Sequence, residues 1–193
     1  MRIIAGELRG RTLKTVEGPG YRPATARVRE ALFSMLEARG LVWPECSVLD
    51  LFAGSGSLAF ESVSRGARRV CLVENSAIAV QCLERNAAAL GLLPPRCRIM
   101  GEDVLHLLAR RNRKGQTDSE EHFDVVFIDP PYGLNIMPAA LQALVRGQWL
   151  APEAFVAAEV EARARIDEAA HEGLVCVSSR EYGQTRIVLW QAQ

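Results

Sequence analysis

Four carboxylates and two turns carry the chemistry that this chain could do. Phe123-Asp124-Val125-Val126-Phe127-Ile128 is an apolar run that ends in Asp129-Pro130-Pro131-Tyr132. Consecutive prolines forbid the strand's continuation and remove two N–H donors, so this turn offers acceptors and a ring face. That suits a planar base carrying an amino group. Such an amine is a poor nucleophile because its lone pair is delocalised into the ring. Accepting its two N–H bonds, through the Asp129 carboxylate and the Pro130 carbonyl, favours a localised lone pair and stabilises charge developing on nitrogen. Tyr132 can stack on the base, which must then be unpaired or flipped out. The plainer alternative is a strand that merely stops at a proline turn.

The second turn is Asp50-Leu51-Phe52-Ala53-Gly54-Ser55-Gly56, followed by Ala59 and, about 20 residues on, by Glu74. Glycines between a strand and a helix let a ligand approach the backbone, and a carboxylate at Glu74 can accept both ribose hydroxyls. An adenosine-containing cofactor is expected. The glycine pattern alone also fits a nicotinamide dinucleotide, which would make the chain an oxidoreductase. Asp50 argues otherwise: a carboxylate there is badly placed beside a pyrophosphate and well placed beside an ammonium or sulfonium. S-adenosylmethionine carries both cations and no phosphate. Asp103, after a third strand, could accept from the adenine amino group or simply cap its own helix.

The elements that must position these residues alternate from Ser47 onward, the pattern of a mostly parallel α/β sheet of Rossmann type. Strands are expected at 48–52, 69–74, 97–100, 123–128 and 154–161. Helices are expected at 57–64, 76–90, from 103 to about 110, and at 136–146. Residues 111–122 lack periodicity and read as a mobile loop, and 163–171 as a short helix or turn. Segments 175–179 and 185–190 would close the sheet as an antiparallel hairpin. At the start, 2–5 and 11–16 read as a small β-hairpin around Gly6 and Gly10. Residues 17–24 read as loop, and Thr25 caps a helix reaching about Ala38. The division is thus an appendage over 1–20 and one α/β domain over 21–193.

Net charge is zero, but residues 1–40 hold eight Lys/Arg against four Asp/Glu. A basic arm on an acidic body suits one face that meets a polyanion, or else a merely solvated surface. Arg9, Arg11, Arg22, Arg27 and Arg29 are the candidate phosphate contacts. Arginines at a helix start oppose its dipole, so an anion, or a neighbour such as Glu30, must account for them. Five scattered cysteines without a CxxC pair argue against disulfides or zinc, and no metal is expected. Apolar runs are too short to span a bilayer, and no signal-peptide core is present. The chain is expected to be cytoplasmic.

Asp50-Leu-Phe-Ala-Gly-Ser-Gly56 resembles the cofactor motif of class I methyltransferases, and Asp129-Pro-Pro-Tyr132 their amino-methylating motif. The segments Arg2-Ile-Ile-Ala-Gly6, Gly10-Arg-Thr-Leu13 and Arg22-Pro-Ala-Thr-Ala-Arg-Val-Arg-Glu-Ala-Leu-Phe33 are similar to the RsmD family, with similarity continuing to Glu181-Tyr182-Gly183. The resemblance implies a methyl transfer to guanine N2 in bacterial 16S ribosomal RNA, the family target being guanine 966 in conventional rRNA numbering. It implies cofactor contacts at Asp50, Phe52, Ala53, Gly54, Gly56, Glu74, Asn75 and Asp103, and a catalytic turn at Asp129, Pro130, Pro131 and Tyr132. The partner would be 16S rRNA or a small-subunit assembly intermediate, met by a monomer. Two positions depart from the family pattern: Ala26, where an acidic residue is usual, and Ser34, where Asn is usual. The competing functions are a DNA adenine-N6 methyltransferase, since the acceptor turn does not name the ring, and a non-catalytic RNA-binding assembly factor. The chain's length leaves no room for a large DNA-recognition domain.

Overall fold

The computed structural model describes residues 1–16, 25–114, 122–131, 136–164 and 173–193. The expected loop at 17–24, Arg22, Tyr132 and the element expected at 163–171, beyond Ala164, lie outside the described residues.

Seven strands form one sheet: β1 (Ser47–Leu51), β2 (Arg69–Glu74), β3 (Cys97–Gly101), β4 (Phe123–Ile128), β5 (Leu150–Glu161), β6 (Leu174–Tyr182) and β7 (Thr185–Ala192). Their spatial order is β3-β2-β1-β4-β5-β7-β6. The pairs from β3 through β5 are parallel, and β7 runs antiparallel to both β5 and β6. The mostly parallel sheet with an antiparallel closing hairpin is the architecture that the alternation of elements predicts. Strand order reverses between β1 and β4, which is the switch point where an open α/β sheet leaves a crevice.

The helices are α1 (Ala26–Glu37), α2 (Ser57–Ser64), α3 (Ala77–Leu90), α4 (Val104–Lys114) and α5 (Met137–Arg146). The central strands are buried almost throughout, and their side chains alternate between two apolar layers, one on each face of the sheet. Val48, Val70, Leu72, Val125, Phe127, Phe155 and Ala157 pack under α1, α2 and α3. Leu49, Leu51, Val126, Ile128, Val156 and Ala158 pack against α4 and α5. Thr25 caps α1 by accepting from the Val28 N–H at 3.3 Å, and Ser76 caps α3 through the Ala79 N–H at 3.4 Å.

Three expectations need correction. Residues 111–114 continue α4 instead of starting a loop. Arg, Asn and Lys add no apolar stripe to betray a helix, yet Arg and Lys are good helix formers once Val104, Leu107 and Leu108 anchor the preceding turns. Strand β5 begins at Leu150, four residues early, because a register shift accommodates Pro152 and the positive φ of Glu153. The N-terminal hairpin makes a single β-bridge, Arg2 to Thr12, in place of two strands. It is held by the body: Ile3 and Leu13 are buried in the α1–α3 layer, and both oxygens of Glu61 on α2 accept hairpin N–H groups, Ile4 at 2.7 Å and Ala5 at 3.0 Å. Gly6 has φ +81, and a Cβ there would stand 1.7 Å from the Ser64 carbonyl oxygen. Only glycine allows so close an approach.

Candidate active site

The first turn follows β1, whose last residues must leave the sheet abruptly. Phe52 has φ 62, Gly54 φ 54 and Gly56 φ 78. Left-handed backbone at a phenylalanine costs on the order of 1–3 kcal/mol and is retained where the surroundings enforce it. Gly54 donates its N–H to Glu74 Oε2 at 2.9 Å, and Ala53 donates to the Val73 carbonyl at 3.0 Å. The loop is thus laced to the end of β2. Glu74 Oε1 accepts from the Ser76 N–H at 2.9 Å, which fixes the carboxylate plane while each oxygen keeps a second lone pair. Asn75 is exposed beside it.

Asp50 is 2% exposed, and its Oδ2 accepts from the Ala59 N–H at 3.1 Å, within the first turn of α2. Burial pushes its pKa up to about 8, the Ala59 hydrogen bond opposes this, and Glu74 adds to it. Asp129 follows β4 with its N–H 3.4 Å from the Leu51 carbonyl, so it stands directly beside the first turn. Its pKa is raised by burial, by Glu159 and by Asp50. Pro130 is buried and Pro131 exposed. The two turns that the sequence singled out are therefore neighbours on β1 and β4.

Asp103 follows β3. It is exposed, and its Oδ1 accepts from the His106 N–H at 2.8 Å, which makes it the cap of α4. Arg9 and Arg27 are exposed, and Arg11, also exposed, donates to the Ala89 carbonyl near the end of α3. Arg29 departs from the expected phosphate contact. It is 2% exposed, and its Nη2 donates to the Arg2 carbonyl at 2.9 Å. Burial lowers its pKa while Glu61 raises it. It ties α1 to the hairpin. A cavity of about 500 Å³ lies between those two elements, lined among the described residues by Arg2, Ile3, Thr15, Ala26 and Arg29. With alanine at 26, that side chain adds no negative charge there. Ser34 is exposed, and nothing in the structure explains its departure from the family pattern.

Two buried side chains escaped the sequence reading. Asn86 pairs with the backbone of Lys14 in both directions, at 2.9 Å each, and donates to the Ser55 carbonyl at 3.1 Å. With the Val16 N–H to Ser55 Oγ bond of 3.0 Å, it locks the arm to the glycine turn. Glu159 is 8% exposed in β5 and is pushed up to about 7 by burial, against a hydrogen bond from Thr185. A lone carboxylate inside the apolar run Phe155 to Val160 was the signal that could have found it.

Glu74, Asp50 and Asp129 end three adjacent strands, with two of these carboxyls held above their ordinary range. A pyrophosphate would meet repulsion there, whereas an ammonium or sulfonium would relieve the crowding. The donor set thus fits S-adenosylmethionine: Asp50 and the first turn for its cations, Glu74 for its ribose. Among the described residues, no group of three or more His, Cys, Asp or Glu could hold a metal ion, and no helix is long and apolar enough to cross a membrane.

Sheet order and site together define a class I methyltransferase fold. The Escherichia coli protein yhhF, whose structure carries a provisional methyltransferase assignment, superposes with a TM-score of 0.83 at 32% identity, over 100% of this chain and 98% of that one. The family profile described as Conserved hypothetical protein 95 matches residues 1–191, and the chain belongs to that family, the RsmD family. It is 37% identical to ribosomal RNA small subunit methyltransferase D of Haemophilus influenzae, over 83% of this chain and 79% of that protein. Identity to the protein of the same name from Escherichia coli K12 is 36%, over 83% and 75%.

Proposed function

We propose that this chain is an S-adenosylmethionine-dependent methyltransferase of the small ribosomal subunit RNA, acting in the cytoplasm on the exocyclic N2 of a guanine. The observation that carries the reading is the adjacency of the Asp129-Pro130-Pro131 turn to the Gly54-Ser55-Gly56 turn across β4 and β1. The names of the relatives support ribosomal RNA as substrate.

When bound, the cofactor supplies a methyl group activated by its sulfonium. Asp50 balances the cofactor's positive charge, and Glu74 holds its ribose at the angle set by Gly54 and Ser76. Asp129 and the Pro130 carbonyl accept the two N–H bonds of the base's amine and direct the nitrogen lone pair towards the methyl. Positioning of this kind supplies much of the barrier reduction, because a fixed near-attack geometry replaces an encounter in solution. Asp129 orients the amine as an acceptor, and burial beside Glu159 and Asp50, which raises its pKa, suits it to take up the proton that the methylated nitrogen sheds. Tyr132 would offer a stacking face to the base, and Arg9 and Arg11 on the arm and Arg27 on α1 would meet RNA phosphates.

The test is transfer of labelled methyl from S-adenosylmethionine to small-subunit RNA or assembly intermediates from a strain that lacks the gene. Nucleoside mass spectrometry and primer extension then identify the base. N2-methylguanosine at one position is the expected product. N6-methyladenine in DNA would move the chain to the DNA enzymes, and calorimetric binding of NADH without S-adenosylhomocysteine would remove methyl transfer altogether.

A further inference from the structure

The acceptor turn binds an amino group without specifying its ring, yet the sheet places a second acceptor beside it. In the parallel pair β4 and β5, Val126 faces Val156, Phe127 faces Ala157 and Ile128 faces Ala158. One residue further on, Asp129 and Glu159 occupy neighbouring positions. They also share a face. Val125, Phe127, Phe155 and Ala157 pack into the α1–α3 layer, while Val126, Ile128, Val156 and Ala158 pack into the other. Alternation puts Asp129 and Glu159 on the α1–α3 side, as it does Asp50 on β1. Adjacent strands lie about 4.8 Å apart, and the glutamate reaches one methylene further from the sheet than the aspartate.

Guanine and adenine differ in what they show next to their amino groups. Guanine presents N1–H beside its N2 amine, two donors in a row. Adenine presents a bare N1 lone pair beside its N6 amine. The geometry points to Glu159 as the residue that reads the ring: its carboxylate accepts the N1–H of guanine while Asp129 and the Pro130 carbonyl hold the N2 amine. This inference rests on the guanine-N2 reading above and explains how one amine-binding turn selects that base.

Electrostatics agree with the assignment. Burial raises the pKa of both carboxyls, and Glu159 raises that of Asp129 further, so a ligand that offers hydrogen-bond donors to both is favoured there. Thr185 steadies Glu159 from β7. An adenine in the same pose would aim its N1 lone pair at a carboxylate and leave both without a donor. A site built to hydrogen-bond one group rejects a partner lacking it strongly, because its own buried polar atoms are then left unpaired.

The experiment uses the full chain and small-subunit RNA in which the mapped target guanosine is replaced, by splinted ligation, with 2-aminopurine riboside. That base keeps the 2-amino group but carries a lone pair at N1. The wild-type protein should favour guanosine by about 100-fold or more in kcat/KM. Glu159→Gln can turn an amide N–H₂ towards the N1 lone pair. It should lose about 10- to 100-fold on guanosine and narrow the preference to below about 10-fold. Its affinity for S-adenosylhomocysteine should stay within about twofold of wild type, since the change lies on the acceptor side. Equal losses on both RNAs, or an unchanged ratio, would overturn the inference and leave Glu159 as a tie between β5 and β7. If Glu159→Gln does not fold, Glu159→Asp withdraws the carboxylate by one methylene, and undiminished guanosine activity in that variant would overturn it equally. A wild-type protein that methylates no guanosine removes the function itself, and this inference with it.

Discussion

At the scale of single residues, the site is a problem in placing acids where burial disfavours their charge. Asp50 illustrates it. With a pKa of about 8 it is largely protonated at neutral pH in the free protein, and a bound ammonium or sulfonium would drive the proton off. Cofactor binding should therefore release up to one proton, read as a calorimetric enthalpy that varies with the ionisation enthalpy of the buffer. Affinity should climb between about pH 6 and 8 and flatten above, by the linkage between proton and ligand; a flat profile would remove Asp50 from the cation's surroundings. The stability sign is opposite to that of a salt-bridged carboxylate. Because the folded pKa lies above the unfolded one, Asp50's contribution is fully present below about pH 4 and is lost as pH rises to about 8. Asp129 has a separate task. Asp129→Ala should lower methyl transfer by roughly 100- to 1000-fold, the scale of losing one preorganised group, with S-adenosylhomocysteine still bound. Loss of cofactor binding in that variant would contradict the division of labour.

At the scale of elements, the N-terminal hairpin is too short to hold itself together. One β-bridge and a few backbone bonds cannot offset the entropy of ordering a dozen residues. It is held instead by Glu61 on α2, Asn86 on α3 and Arg29 on α1, three buried polar side chains that satisfy its backbone. Glu61→Ala leaves the Ile4 and Ala5 N–H groups unpaired, at about 1–3 kcal/mol each if they stay buried. The expected result is faster amide exchange at Ile4 and Ala5, with β1 and β4 amides unchanged. Gly6→Ala should do the same through the Ser64 clash. Because Asn86 also holds Ser55, loosening the arm should weaken cofactor affinity. Unaltered affinity in Asn86→Ala would show that the arm and the glycine turn are independent.

At the scale of the molecule, the parallel half of the sheet carries the glycine turn and the proline turn on one rim, and the basic arm packs over α1 to α3 on the same side as the carboxyl row. That arrangement would bring a polyanion in over the site. Arg9→Ala and Arg27→Ala, both at exposed positions, should weaken RNA binding. Each should reduce the salt slope by about 0.7–0.9 for every phosphate that the arginine neutralises. Arg29→Ala should lower stability and leave the slope alone, since its guanidinium is inside. A reduced slope for Arg29→Ala would return it to the RNA surface.

The sequence determined the sheet, the two turns and the class of cofactor, because strand–helix alternation, consecutive prolines and paired glycines act through local backbone constraints that any fold must respect. It did not determine which polar residues face inward. Arg29 and Arg27 look alike at a helix start, and only the hairpin folding across α1 buries one and exposes the other. Asp103 reads from the sequence either as an adenine acceptor or as a cap, and its placement at the start of α4 adds the capping bond from the His106 N–H. Glu159 drew no attention in the sequence, and only the register of β5 against β4 sets it beside Asp129. The turn at Asp129 and its prolines, as a rigid cluster of acceptors at a strand end, was legible locally. The ring that the amine belongs to depends on what stands next to that turn in space, and adjacency across parallel strands distant in sequence is a property of the tertiary structure alone.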